Sequence, residues 1–215
     1  MTTDKSLQQQ LKQPNLSQQP VIFVTGNQGK LEDFNQLLSD CQLTDAFTVQ
    51  DLDLVELQGS HQEIATEKCR MAAQLLNGPA VLIEDTSLEL TALNGLPGPY
   101  IKWFWKALRN ERLPSLLAAY PDKSAVAKSI VAYCPGPGRE IRLFHGECRG
   151  RLLTEPRGPP VHGWLPLFAP DGQDQSLAEM EAAERYRHHH RAKAFAKFFA
   201  YFAKYRNNTA EYQSG

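Results

Sequence analysis

Ala80 to Trp105 reads AVLIEDTSLELTALNGLPGPYIKWFW, and the rest of the chain is arranged around it. The segment opens as a short apolar run, Ala80-Val81-Leu82-Ile83, of the kind that forms a strand buried on both faces. It is expected to deliver two carboxylates, Glu84 and Asp85, at its carboxyl end, followed by the Thr86 hydroxyl. A rigid turn comes next, Gly95-Leu96-Pro97-Gly98-Pro99, and then Lys102 among Trp103, Phe104 and Trp105. Open α/β sheets bind ligands just outside the carboxyl ends of their strands. Acids placed there cost free energy unless a metal or a cation partners them. The segment predicts a site rather than a piece of core.

Upstream, Val21-Ile22-Phe23-Val24 is a predicted strand that runs into Thr25-Gly26-Asn27-Gln28-Gly29-Lys30. A helix follows with Leu31, Phe34, Leu37 and Leu38 on one face. Strand, glycine turn and helix together aim backbone N–H groups at an anion, and Lys30 adds a charge. An ordinary βα turn has the same local pattern, so both readings stay open at this point. The Gly-Lys-Ser/Thr order of a Walker loop is absent. Phe47 to Leu57 predicts a second strand ending near Glu56, which taken alone reads as a solvated acid. Ile64 to Leu76 predicts a helix with Ala65, Cys69, Ala72 and Leu76 on one stripe, closed by Gly78-Pro79. Lys68 falls off that stripe, either into solvent or into a cleft.

Downstream, Trp103 to Leu108 and Leu113 to Tyr120 read as two helices broken near Asn110 and Pro114, with the aromatic triplet in the core. Ser124–Cys134 and Arg142–Leu153 read as long strands joined through Pro135-Gly136-Pro137-Gly138, a hairpin forming one wall of a second lobe. Pro156 to Gly172 is a long Pro/Gly loop of the kind that carries function. Its Trp164 either stacks on a flat ligand or plugs the loop onto the core. From Ser176 the chain reads as helical, ending in a helix over Ala192 to Tyr205 that buries Phe195, Phe198, Phe199 and Phe202. His188-His189-His190 is not expected to bind a metal, because consecutive helical residues point about 100° apart.

Bulk properties narrow the class. The chain has 215 residues, is 42% hydrophobic and carries formal net charge −1. That balance argues against a general nucleic-acid or membrane-surface binder. No apolar run approaches the ~20 residues of a membrane span, and the N-terminus lacks a secretory core. Cys41, Cys69, Cys134 and Cys148 form no CxxC and read as reduced, mostly buried thiols of a cytoplasmic protein. Residues 1–19 read as a disordered Gln-rich tail, 20–206 as one two-lobed unit, and 207–215 as a frayed end.

Taken together, Thr25-Gly26-Asn27-x-x-Lys30, Glu84-Asp85-Thr86 and Leu93-Asn94-Gly95-Leu96-Pro97-Gly98-Pro99-Tyr100-Ile101-Lys102-Trp103 are recognisable. Over about residues 20–205 the chain resembles the inosine triphosphate pyrophosphatase family, which removes deaminated purine nucleotides. The resemblance implies an elongated α/β fold, a mixed twisted sheet with flanking helices, and two lobes around a central cleft. It also implies a homodimer and Mg²⁺-dependent hydrolysis, with Mn²⁺ as a substitute, of ITP, dITP or XTP to the monophosphate and pyrophosphate.

By that resemblance, Thr25, Gly26, Asn27, Gln28, Gly29 and Lys30 hold the triphosphate, with Thr86 beside it. Glu56 and Asp85 match the metal carboxylates, with Glu84 as a further metal or supporting acid. Asp85 also matches the base for the attacking water, and Lys68 and Lys102 neutralise charge on the phosphates. The base end departs from the pattern. Where the family has Phe-Gly-Trp/Tyr-Asp-Pro, this chain has His162-Gly163-Trp164-Leu165-Pro166, and Leu165 cannot hydrogen-bond. His190 and Arg191 match the family, whereas Arg185, Tyr186 and His189 do not. Retained phosphate chemistry with an altered base pocket leaves two alternatives to ITP hydrolysis. One is the same α–β cleavage on a different nucleotide, and the other is a nucleotide-binding protein with little catalysis.

Overall fold

The first three long strands set the parallel half of the sheet. β1 (Val21–Val24) lies between β2 (Phe47–Gln50) and β3 (Val81–Leu90) and runs parallel to both. Beyond β3 all pairings are antiparallel, through β5 (Ser124–Cys134), β6 (Arg142–Leu152) and β7 (Phe168–Pro170). β4 (Pro97–Gly98) pairs with the far end of β3. The structure is a computed structural model that describes residues 19–41, 43–160 and 163–211. Nearly all of the predicted N-terminal tail, together with His162 and residues 212–215, therefore lies outside the described residues.

Among the described residues five α-helices cover this sheet: α1 (Gln28–Asp40), α2 (His61–Leu76), α3 (Ile101–Arg112), α4 (Ala182–His188) and α5 (His190–Glu211). On one face α1 and α5 bury an aromatic cluster of Phe23, Phe34, Phe47, Phe195, Phe198, Phe199 and Phe202. On the other face the small residues Ala65, Cys69 and Ala72 let α2 sit against Val81, Ile83, Ile130 and Ala132. A separate core over the outer halves of β3 and β5 holds Leu88, Leu90, Ile101, Leu113, Leu117, Leu167 and Phe168. The two lobes thus share one continuous mixed sheet, as the α/β reading expects.

Four expectations need correction. β2 stops at Gln50 rather than Leu57, because its partner β1 ends at Val24 and leaves no ladder to extend. Residues 51–58 run on irregularly, and Tyr100 Oη pins this loop by accepting from Gly59 N at 3.0 Å and donating to Gly59 O at 3.1 Å. β3 does not end before the acids, since β5 pairs with it from Val81 to Leu90. The 101–120 segment does break, at Arg109 beside the expected Asn110, but its second part is a 3₁₀ turn over Leu113–Leu117 rather than a helix, and Trp103 is 49% exposed. From Ile101 the buried stripe passes through Phe104, Trp105 and Leu108, which leaves Trp103 on the other side. Finally, Pro156–Gly172 is partly regular, with a 3₁₀ turn at Leu165–Leu167 leading into β7.

Candidate active site

β1 gives out at the level of Leu82, and β4 takes up the same edge of β3 only at Leu88. Between them Glu84, Asp85 and Thr86 border a cleft at the switch between parallel and antiparallel pairing. Strand alternation then separates the two acids. Leu82 packs in the α1/α5 core and Ile83 in the α2 core, so Glu84 faces α1 and α5 while Asp85 faces α2.

Each acid meets cations from the helices on its side. Glu84 Oε2 lies 3.0 Å from Lys30 Nζ and 3.3 Å from Arg191 Nε. Its Oε1 accepts from Ser129 Oγ at 2.6 Å and Thr86 Oγ1 at 2.8 Å. Burial alone would raise the pKa of Glu84, but Lys30 and Arg191 outweigh it and hold the carboxyl well below the usual carboxylate range. Asp85 Oδ1 accepts from Lys68 Nζ at 3.0 Å, and the same ammonium donates to Glu56 Oε2 at 3.0 Å. Lys102 completes this side by donating to Glu56 Oε1. His61 Nε2 lies 3.0 Å from the Asp85 carbonyl oxygen and 3.4 Å from its Oδ2. Against the upward push of burial, His61, Lys30 and Lys68 keep Asp85 below its ordinary pKa. Burial would lower Lys68, yet Asp85 and Glu56 raise it, so this lysine is a fixed positive charge.

The turn ahead of α1 is shaped for close approach. Asn27 caps the helix by accepting from Lys30 N at 3.0 Å, and Asn27 N donates to Thr25 Oγ1 at 3.1 Å. A Cβ at Gly26 would come within 2.5 Å of Asp51 Oδ1, so a side chain there would displace Asp51. Gln28 lies along its own helix, donating to Glu32 Oε1 at 3.1 Å.

The cleft is also lined by Gly163, Trp164, Leu165, Arg185, His190 and Arg191. Trp164 stacks on His190 at 5.5 Å and 20°, and His190 on His189 at 4.5 Å and 16°. The chain breaks helical geometry at His189, between α4 and α5, so the three histidines do not follow one helical path. Burial pushes His189 and His190 well below the ordinary histidine pKa, and neighbouring Arg191 adds to it, so both rings are neutral. Leu165 packs on the second-lobe core, and Arg185 lies over the Tyr186 ring at 5.5 Å.

The cleft measures about 1040 Å³ and is lined by every predicted site residue that lies among the described ones. It does not gather them all at one point: Glu84 sits on the side of β3 away from Glu56 and Asp85. Sequence reading passed over Asp33, which Arg191 meets through Nη1 and which Tyr186 Oη approaches at 3.4 Å. Asp33 stands three residues after Lys30 and four before Leu37, a spacing that puts an acid on the inward stripe and could have marked it. His61, Ser129 and Asn110 were also missed, and no local pattern distinguishes them.

The acids on the α2 side fit a hard divalent ion. Glu56 and Asp85 come from different segments, and their oxygens already converge on one cation, Lys68 Nζ. Asp85 Oδ2 is buried without a hydrogen-bond partner and remains a spare acceptor. An all-oxygen pair open to a phosphate ligand is the donor set that Mg²⁺ takes.

Comparison with known proteins agrees with this geometry. The profile of the Ham1 family matches residues 21–201. A Neurospora crassa protein named inosine triphosphate pyrophosphatase is 47% identical over 191 residues, covering 89% of this chain and 96% of its own length. A Pyricularia oryzae protein of the same name is 46% identical, covering 87% of this chain and 95% of its own. Among solved structures, a HAM1 protein from Coxiella burnetii superposes with a TM-score of 0.74 at 23% identity, covering 86% of this chain and 99% of its own. The Staphylococcus aureus Ham1 protein superposes at 0.64 and 24% identity, covering 85% and 98%. With this profile spanning residues 21–201 and relatives 46–47% identical over most of the chain, the chain belongs to the Ham1 family.

Proposed function

We propose that this chain is a nucleoside triphosphate pyrophosphatase acting on ITP, and by extension dITP and XTP, releasing the monophosphate and pyrophosphate. The observation that carries this reading is the pairing of Lys30, Lys68 and Lys102 with Glu84, Asp85 and Glu56 in one cleft with the N-terminus of α1 and the Trp164–His190 stack. The names of the Neurospora and Pyricularia relatives support it.

In this reading the triphosphate lies over the start of α1, where N–H groups and the helix dipole favour anions. Lys68 and Lys102 exchange carboxylate oxygens for phosphate oxygens and stay charged as negative charge builds on the leaving pyrophosphate. Asp85, held ionised, takes a proton from the water that attacks the α-phosphorus as the α–β bond breaks. Glu56 and Asp85 would hold Mg²⁺, or Mn²⁺ in its place, whose chemistry is to offset charge on the phosphate oxygens. Glu84 instead holds Lys30 and Arg191 in place. Trp164 and the neutral His190 form a platform for the base, with Arg185 and Arg191 at its edge. The same reading takes residues 20–206 as one catalytic unit, a homodimer as the working form, and the cytoplasm as its compartment.

Asp85→Asn, which keeps shape and removes charge, should lower kcat by about 10²–10⁴-fold while ITP still binds. Unchanged turnover, or orthophosphate as the product, would count against the reading. Leu165 favours a second one, in which the same cleavage serves another base because an apolar side chain lines the cleft there. Under it, Leu165→Asp should move preference towards ITP.

A further inference from the structure

α3 borders the cleft with its first half, through Ile101, Lys102, Trp105 and Lys106. Near its start Lys102 reaches Glu56, and near its end the helix breaks at Arg109, with φ 55° and ψ −177°. A non-glycine residue is strained there, and such strain persists only where surrounding contacts hold it. Those contacts are visible: the Arg109 guanidinium lies 4.8 Å over the Trp105 ring, and Trp105 Nε1 donates to Asn110 Oδ1 at 2.9 Å. The other end of the Asn110 amide crosses to the facing loop, where Nδ2 donates to Gly163 O at 3.0 Å. Gly163 has φ 83° and open space where a side chain would stand, so it packs against nothing through a side chain of its own. The next residue is Trp164, the outer plate of the stack on His190.

We propose that Asn110 is a positioning residue for base selection: its amide latches the Gly163–Leu165 loop to α3 and so sets where Trp164 stands in the cleft. The proposal rests on the reading of that loop as the base side of a nucleotide site. The latch joins the helix that carries Lys102 to the loop that carries Trp164, so the two ends of one substrate are held at a fixed distance. Asn110 touches no reacting atom; it acts through Gly163. A side chain with the Oδ1 acceptor alone would keep Trp105 satisfied and release the loop.

Asn110→Asp makes that change with almost no change in volume, and Asn110→Ala serves if the acid prevents folding. Three quantities are read on the full chain: hydrogen exchange of the amides of Gly163, Trp164, Leu165 and Leu167, kcat and KM across a panel of nucleoside triphosphates, and inhibition by inorganic tripolyphosphate. The expected result is faster exchange at these amides and a discrimination ratio between best and worst substrates lowered about tenfold, mostly through KM. Tripolyphosphate inhibition, which reports the phosphate end, should stay within about twofold of wild type. Unaltered exchange overturns the latch. Faster exchange with an unaltered ratio overturns its role in selection, and a parallel loss of tripolyphosphate inhibition assigns Asn110 to general stability instead. Should the wild type hydrolyse no triphosphate, the functional reading fails on its own, and the exchange result still decides whether the loop is latched.

Discussion

Glu84 and Asp85 are adjacent in sequence, yet strand alternation gives them different neighbours and different work. Glu84 has no exposed side-chain surface and ties α1 to α5 through Lys30 and Arg191. Glu84→Gln would leave Lys30 without its anion and Arg191 with Asp33 alone, and should cost about 3–5 kcal/mol, read from urea unfolding. A loss under about 1 kcal/mol would mean that Asp33 alone satisfies Arg191. His189 and His190 give a pH test. Both have folded pKa values below the unfolded value of about 6.5, so the unfolded chain binds more protons as pH falls through that value. Their stabilising contribution is fully present above pH ~6.5 and is lost progressively below it. Tm should therefore fall between pH 7 and 5.5, and His189→Gln should flatten the slope by about half. A flat Tm over that range would contradict neutral buried rings. The residues that line the cleft were legible because most sit in short motifs around glycine and proline turns. Their division of roles was not, because it depends on β5 carrying β3 past Ile83, a long-range pairing with no local signal.

Among the elements, β1, β2, β3, β5, β6 and most helices were legible, and the errors arose where a partner element decided the outcome. β2 was drawn too long because its own residues suit a strand, whereas the length of β1 ends the ladder. Trp103 was placed in the core by hydrophobicity, but helical spacing from Ile101 turns it outward. α3 also carries the backbone strain at Arg109. Arg109→Gly relieves a conformation worth about 1–3 kcal/mol, offset by glycine's extra unfolded-state entropy and the lost contact with Trp105. We expect a net gain of up to about 1 kcal/mol in urea unfolding, with Asn110 still bound to Gly163. Net destabilisation would show that the Arg109–Trp105 contact outweighs the strain.

Across the whole molecule, one sheet serves two lobes, and the cleft lies where its pairing changes sense. The arrangement depends on how closely α5 approaches β6, and Gly146 sets that distance. A Cβ there would sit 2.0 Å from His190 O and 2.6 Å from Ala194 N, both backbone atoms. Gly146→Ala must therefore push α5 off the sheet, costing about 1–3 kcal/mol or more and shifting His190 and Arg191 at the cleft. Stability and ITP turnover should fall together, whereas full activity in a destabilised variant would uncouple the helix from the site. The proposed function requires that the cleft hold a triphosphate at one end and a purine at the other. Its most direct test is product analysis with Mg²⁺ across ITP, dITP, XTP, ATP, GTP, CTP and UTP. Pyrophosphate and monophosphate are expected as products, with ITP, dITP and XTP turned over in preference to the ordinary nucleotides. Orthophosphate as the first product, or equal turnover of all bases, would contradict it.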